Sequence, residues 1–244
     1  MTKLTLHEFD AVAFDAEGTL FDTFPLHHAA RYKAFADHGF GYISKEEHAK
    51  GATYGSSTLD ILGGILYAAG AIKDRDYADN PVLRAVVAAR DTYFNELVHT
   101  HGYNEIPGAT DFFKHVARHF KDKTALVTAA PWHTLAAAVT RYGLDAHLTP
   151  ECTITGDTVT QLGLSPKPAP DSYVLAGTRM NADRLLVFED TAPGVAAAKQ
   201  AGATVVAVCS DEPSWRQFTS GDIPYAPDYL VQNYREAGQL IGVY

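Results

Sequence analysis

The chain has 244 residues, 46% of them hydrophobic, and a formal charge of −9 from 20 basic and 29 acidic side chains. That suits one ample core, or a core carrying a smaller inserted unit, and the acidic balance disfavours binding to a nucleic-acid backbone. Two cysteines without a CxxC pattern argue against a disulfide scaffold or structural zinc. With no N-terminal apolar leader and no apolar run of about 18 residues, no membrane segment is predicted and a cytoplasmic protein is expected.

Taken in order, the first apolar run is AVAFDAE (11–17). From about 23 to 104 the pattern is helical without a clear strand, in LHHAARYKAFADHGF, SKEEHAKG, SSTLDILGGILYAAG and NPVLRAVVAARDTYFNELVHTHG. Helical spacing resumes at GATDFFKHVARHF (108–120), followed by a second apolar run, TALVTAA (124–130), and a helix at 133–143. After the proline-flanked loop SPKPAPD come a helix at 170–180, a third run, RLLVFED (184–190), a helix at 192–202 and a fourth run, TVVAVCSDE (204–212). Short runs rich in Val, Leu and Phe, without alternation, read as strands buried on both faces. Gly143 and Gly202 read as helix stops. Strands alternating with helices predict an α/β fold with a doubly wound parallel sheet. The core is expected at 1–22 and 105–244, with a helical insertion at 23–104.

In such a sheet ligands bind beyond the carboxyl ends of the strands, where strand order reverses. The first run delivers Asp15 and Glu17 there, the second Thr128 and the Ala129 amide, and the third Glu189 and Asp190. Lys167, between Pro166 and Pro168, lies in another loop. A lone DxE is ordinarily a solvated turn, and an ED pair before a helix ordinarily a cap. All of them in order at strand ends are hard to reach by accident. Carboxylates gathered at one place repel each other unless a cation separates them, and hard oxygen donors suit Mg²⁺. A hydroxyl, free amides and a lysine suit phosphoryl oxygens. A carboxylate can attack phosphorus, and a second acid can protonate the leaving oxygen.

The motifs FDAEGTLFDT, VTAA, SPKPAPD and VFEDTAPGVAAAKQAG resemble the haloacid dehalogenase superfamily over nearly the whole chain, most of all the branch of small sugar-phosphate phosphatases and β-phosphoglucomutases. The resemblance implies a Rossmann-like core, with the helical insertion as a cap. It implies that Asp15 is the nucleophile and that Thr128 and Lys167 bind the phosphoryl group. Asp15, the Glu17 main-chain carbonyl and Asp190 would hold Mg²⁺, with Glu189 beside or on the metal. Most phosphatases of the family carry Asp where this chain has Glu17. The extra methylene moves the carboxylate by roughly 1.5 Å, and the acid/base role survives if the leaving oxygen sits slightly farther away.

His27, twelve residues after Asp15, matches a histidine of the sugar-phosphate branch, where it assists with a substrate hydroxyl. The segment KGATYGSSTLDIL (50–62) resembles the place where mutases and many phosphatases carry an arginine for a distal phosphate or sugar; here Tyr54 to Thr58 hold none, and Lys50 is a candidate substitute. His115 and His119 share a helix face without an acid to complete a metal set and read as solvated. Trp132 reads equally as a pocket wall or as core packing, and Asp211-Glu212 carries no motif. The expectation is a Mg²⁺-dependent phosphatase of a small phosphorylated metabolite, a monomer or homodimer acting on neither nucleic acid nor membrane. The alternatives are a sugar phosphomutase and a metabolite-binding protein without turnover.

Overall fold

A computed structural model describes residues 3–41, 43, 58–73, 79–210, 212–219 and 223–243. The chain divides into two compact units, Met1–Asp22 with Tyr103–Tyr244, and Thr23–Gly102. Tyr103 and Asn104 thus group with the first unit, two residues before the expected boundary at 105.

The first unit is built on six parallel strands: β1 (Ala11–Phe14), β4 (Thr124–Val127), β5 (Thr153–Ile154), β6 (Leu185–Glu189), β7 (Thr204–Val208) and β8 (Tyr229–Val231), in the spatial order β5-β4-β1-β6-β7-β8. The first strand lies between β4 and β6, so the chain builds outward from it in both directions and its carboxyl end is the switch point.

Both faces of the sheet are covered, which is why its strands read as continuous apolar runs. One face sends Ala13, Val127, Val187 and Val205 against Tyr173, Ala176 and Met180 of a helix at Asp171–Met180 and Val195 and Ala198 of a helix at Ala192–Gln200. On the other, Phe14 stacks on Phe188 with centroids 4.7 Å apart and meets Phe112 and Phe113 of a helix at Ala109–Phe120. That helix buries Phe112, Phe113, Val116, Ala117 and Phe120, one stripe at helical spacing. A buried Phe contributes roughly 2–3 kcal/mol by area alone, so these strands are held by their faces as much as by their ladders. Further helices run Trp132–Arg141, Gly156–Gln161, Glu212–Thr219 and Tyr234–Ile241. Gly143 (φ 65°) and Gly202 (φ 80°) follow the helices ending at Arg141 and Gln200.

Two short strands pair antiparallel, β2 (Phe21–Asp22) with β3 (Asn104–Glu105), joining the segments where the chain leaves and re-enters this unit. The first apolar run stops being strand at Phe14, so Asp15, Ala16 and Glu17 lie in the loop beyond it. Residues 16–21 fold back on themselves: Leu20 and Phe21 donate to the Ala16 carbonyl, and Gly18 donates to that of Phe21.

The second unit contains helices at Phe24–Asp37, Thr58–Ala68 and Pro81–His101. Its core is Ala34, Phe35, Ile43, Leu62, Ile65, Leu66, Leu83 and Val86. The longest helix starts at Asn80, whose side chain accepts from the Val82 and Leu83 amides, and ends at Gly102, where φ is 66°.

Candidate active site

Asp15 follows the last residue of the central strand, where its amide donates to the Phe188 carbonyl at 3.0 Å. Glu189 closes β6 and Asp190 follows it, with Thr191 capping the next helix through the Gly194 amide. The parallel register that sets Phe14 opposite Phe188 therefore brings Asp15 beside Glu189 and Asp190. One oxygen from each of these three carboxylates lies within 4.8 Å of the others.

Lys167 reaches this cluster from its proline-flanked loop. Its ammonium donates to Asp15 Oδ1 at 2.6 Å, Glu189 Oε1 at 2.7 Å and the Val127 carbonyl at 3.1 Å, one acceptor for each proton. Glu189 is fully buried and accepts five hydrogen bonds. Oε1 takes Lys167 and the Tyr173 hydroxyl; Oε2 takes the Asp190 amide, the Thr191 amide and the Thr191 hydroxyl. Asp190 Oδ1 accepts from the Thr19 hydroxyl at 2.8 Å, and the Thr19 carbonyl accepts from the Tyr234 hydroxyl at 2.7 Å. Gly18 is obligatory beside them: its φ is 82°, and a Cβ there would stand 2.1 Å from Asp190 Oδ2.

The electrostatics are those of an anionic pocket. Three carboxylates against one ammonium leave a formal excess of two negative charges. Burial pushes the Asp15 carboxyl up to about 7 against the pull of Lys167, with Glu189 and Glu17 adding to the rise. Burial also raises Asp190 well above the usual carboxylate range, and Glu189 and Asp15 raise it further. Burial acts to lower Lys167, but Asp15 and Glu189 outweigh it and hold the ammonium well above its ordinary value. An all-oxygen donor set with surplus negative charge fits a hard divalent cation such as Mg²⁺.

At the end of β4, Thr128 is buried, and its hydroxyl oxygen accepts from the Ala130 amide at 3.1 Å, leaving its proton to give. The Ala129 amide has no acceptor among the described residues. Gly156 packs so closely behind this loop that a Cβ would stand 2.3 Å from the Ala129 carbonyl oxygen. Glu17 Oε1 accepts from the Tyr103 hydroxyl at 2.9 Å. Trp132 is 40% exposed, which removes it from the core, and its amide is capped by Asp157 at 2.7 Å.

His27 belongs to the second unit. Its ring stacks on Phe94 with centroids 4.2 Å apart, and the Arg90 guanidinium, 4.7 Å over the same ring, donates to His27 Nδ1. Lys50, Tyr54 to Ser57, Asp211 and the Glu212 side chain lie outside the described residues. His119 packs edge-on against His7 at 4.6 Å, a contact between helix and N-terminal segment that no sequence spacing announces.

Sequence reasoning brought forward Asp15, Lys167, Glu189 and Asp190, which the fold gathers. It passed over Thr19, Tyr173 and Tyr103. Thr19 sits inside the first motif and Tyr173 three residues after Pro170, so both had a positional signal; Tyr103 had none.

These features define an α/β protein with an acidic, lysine-bearing pocket at the switch point of a parallel sheet. The chain belongs to the haloacid dehalogenase-like hydrolase family, whose sequence model matches residues 9–202. It is 28% identical over 200 residues to a phosphorylated carbohydrates phosphatase of Thermotoga maritima, covering 79% of this chain and 82% of that one. It is 27% identical over 247 residues to protein CbbY of Rhodobacter capsulatus, covering 94% and 96%. A crystal structure of a family IA, variant 3 hydrolase from Entamoeba histolytica superposes with a TM-score of 0.73 at 18% identity, covering 96% and 98%. No helix among the described residues is long and apolar enough to cross a membrane.

Proposed function

We propose that the protein is a cytoplasmic, Mg²⁺-dependent phosphatase that hydrolyses a small phosphate monoester, a sugar phosphate, through a phosphoryl group carried on Asp15. The observation that carries this reading is the Lys167 ammonium bonded to both Asp15 and Glu189 in a pocket that Asp190 makes anionic. The name of one relative supports the substrate class, since it is a phosphatase of phosphorylated carbohydrates.

Asp15 Oδ1 is held by Lys167, which fixes the carboxylate, and its second oxygen is then directed at phosphorus. The Thr128 hydroxyl and the Ala129 amide donate to the phosphoryl oxygens, and Lys167 joins them by exchanging one of its three acceptors for the substrate. Glu17 gives its proton to the leaving alcohol and afterwards takes one from the water that attacks the aspartyl-phosphate. Asp15, Asp190 and the Glu17 main-chain carbonyl would hold Mg²⁺, which supplies positive charge between an anionic nucleophile and an anionic substrate. Glu189 carries five hydrogen bonds already, so its role is to position Lys167 and the Asp190 loop. By the family resemblance, His27 of the second unit would assist with a substrate hydroxyl.

The alternative reading is a phosphomutase, whose bisphosphate intermediate would need a second cationic group. A phosphate-release screen over sugar phosphates, nucleotides and phosphoglycolate, with and without Mg²⁺ and with Asp15→Asn as the blank, separates the readings. Inorganic phosphate released stoichiometrically supports the phosphatase; phosphate retained on an isomerised sugar supports the mutase; ligand binding without either sinks both.

A further inference from the structure

We infer that Tyr103 is a positioning residue for Glu17, and that the two side chains are matched in length. The inference rests on the reading of Glu17 as the proton donor to the leaving group. It starts from a phenol that is 1% exposed and donates to Glu17 Oε1 at 2.9 Å.

Both ends of that bond are fixed by other contacts. The Tyr103 ring packs on Phe21 with centroids 6.0 Å apart, and Phe21 also packs on Tyr142 at 5.9 Å. The Tyr142 hydroxyl accepts from the Glu105 amide at 3.1 Å and donates to the Tyr103 carbonyl at 3.4 Å, so the backbone around Tyr103 is pinned too. Glu17 sits on the folded-back turn 16–21, bridged to Phe21. A glutamate has three rotatable side-chain bonds, and an unheld one samples many rotamers. A rigid phenol restricts that freedom by fixing one carboxyl oxygen.

The geometry also gives a reason for Glu at a position where the family resemblance leads one to expect Asp. Withdrawing the carboxylate by one methylene, about 1.5 Å, carries it out of reach of a hydroxyl that now lies 2.9 Å away. Tyr103 therefore acts only on the longer acid.

The test reads turnover of two substrates by Tyr103→Phe, Glu17→Asp, Glu17→Gln and the double variants. Tyr103→Phe keeps the ring and its packing on Phe21, and its thermal midpoint checks folding. An alkyl phosphate such as glycerol phosphate needs its leaving oxygen protonated; p-nitrophenyl phosphate scarcely does. Tyr103→Phe is expected to lower kcat/KM, which reads the steps up to release of the alcohol, about tenfold on the alkyl ester and less than twofold on the nitrophenyl ester. Glu17→Asp is expected to show the same substrate-dependent loss, and adding Tyr103→Phe to it or to Glu17→Gln to cost nothing more. Should Tyr103→Phe fold poorly, Glu17→Asp reads the same bond from its other end. Equal losses of kcat/KM on both substrates, or additive losses in the double variants, overturn the inference. If Glu17→Gln alone turns over the alkyl ester like the parent, the proton-donor reading fails and takes this one with it. If Glu17→Gln is impaired and Tyr103→Phe is not, only the pairing with Tyr103 is wrong.

Discussion

The charge surplus of the pocket has a consequence for stability that can be measured without any substrate. In the metal-free protein the buried Asp15 carboxyl titrates near 7, while in the unfolded chain it titrates at its ordinary 3.8. A folded acid with a raised value holds its proton where the unfolded chain has lost it. Its contribution is complete below 3.8 and is lost as pH rises toward 7, and it is flat above. At about 1.4 kcal/mol per pH unit the full gap amounts to about 4 kcal/mol, of which about 2 falls between pH 5 and 7. Asp190 is shifted the same way by burial and by the same neighbours. His119 and His147 oppose this trend. Burial lowers both, so they reduce stability as pH falls through about 6.5, and both are largely solvated and contribute less. They are common to parent and variant, so urea unfolding of metal-free parent and metal-free Asp15→Asn across pH 5 to 8 isolates the carboxyl. The parent-minus-variant difference is expected to fall by about 2–3 kcal/mol over that range. Mg²⁺ is expected to stabilise the parent more at pH 7.5 than at pH 5.5, because it competes with the proton for the same oxygens. A difference curve that is flat, or that rises with pH, would refute the picture of a pocket built around a missing positive charge.

Three further outcomes follow from named contacts. Gly194→Ala places a methyl carbon 1.8 Å from Glu189 Oε1, so the carboxylate must leave its five donors. Urea unfolding is expected to show a loss of about 2–3 kcal/mol and phosphate release to fall more than tenfold; parent-like values would mean that Glu189 does not anchor Lys167. Thr128→Val removes a buried hydroxyl that the proposed reading places on the phosphoryl group and is expected to lower kcat/KM by roughly 10²-fold, with Thr128→Ser recovering most of it in the same steady-state assay. Removing divalent ions is expected to abolish phosphate release and Mg²⁺ to restore it, whereas Ca²⁺, which demands longer bonds and more ligands, binds without restoring turnover; undiminished turnover by the metal-free protein would count against the cation.

The site was legible because its parts sit where apolar runs stop. Strands buried on both faces must be apolar from end to end, so the first polar residue after each marks the loop where ligands bind. That is why Asp15, Thr128 and Asp190 could be read without coordinates. Helix ends were legible for a similar local reason, since Gly143 and Gly202 adopt positive φ just beyond their helices. The edge of the sheet was not. Thr153–Ile154, Tyr229–Val231 and the Phe21–Asp22 pairing with Asn104–Glu105 are two or three residues long, too short to show any period. Tyr103 was invisible for a different reason. Its partner lies 86 positions away in the chain, and only the pairing of β2 with β3 brings the two together.

The same distinction decides what Glu189 does. In the sequence it and Asp190 are two adjacent acids after one strand, and either could face a metal. Adjacent residues at the end of a strand diverge, however, and here the divergence separates two chemical jobs. Glu189 turns inward, is fully buried, and accepts from an ammonium, a phenol, a hydroxyl and two amides. Asp190 accepts from Thr19 on one oxygen and keeps the other toward Gly18, where only a residue without a side chain leaves it room. A buried carboxylate with that many donors, one of them an ammonium, is stable as an anion without a metal, and a buried carboxylate with one donor is not. On the proposed reading a metal would therefore be held by Asp15 and Asp190, with Glu189 keeping Lys167 where it screens Asp15.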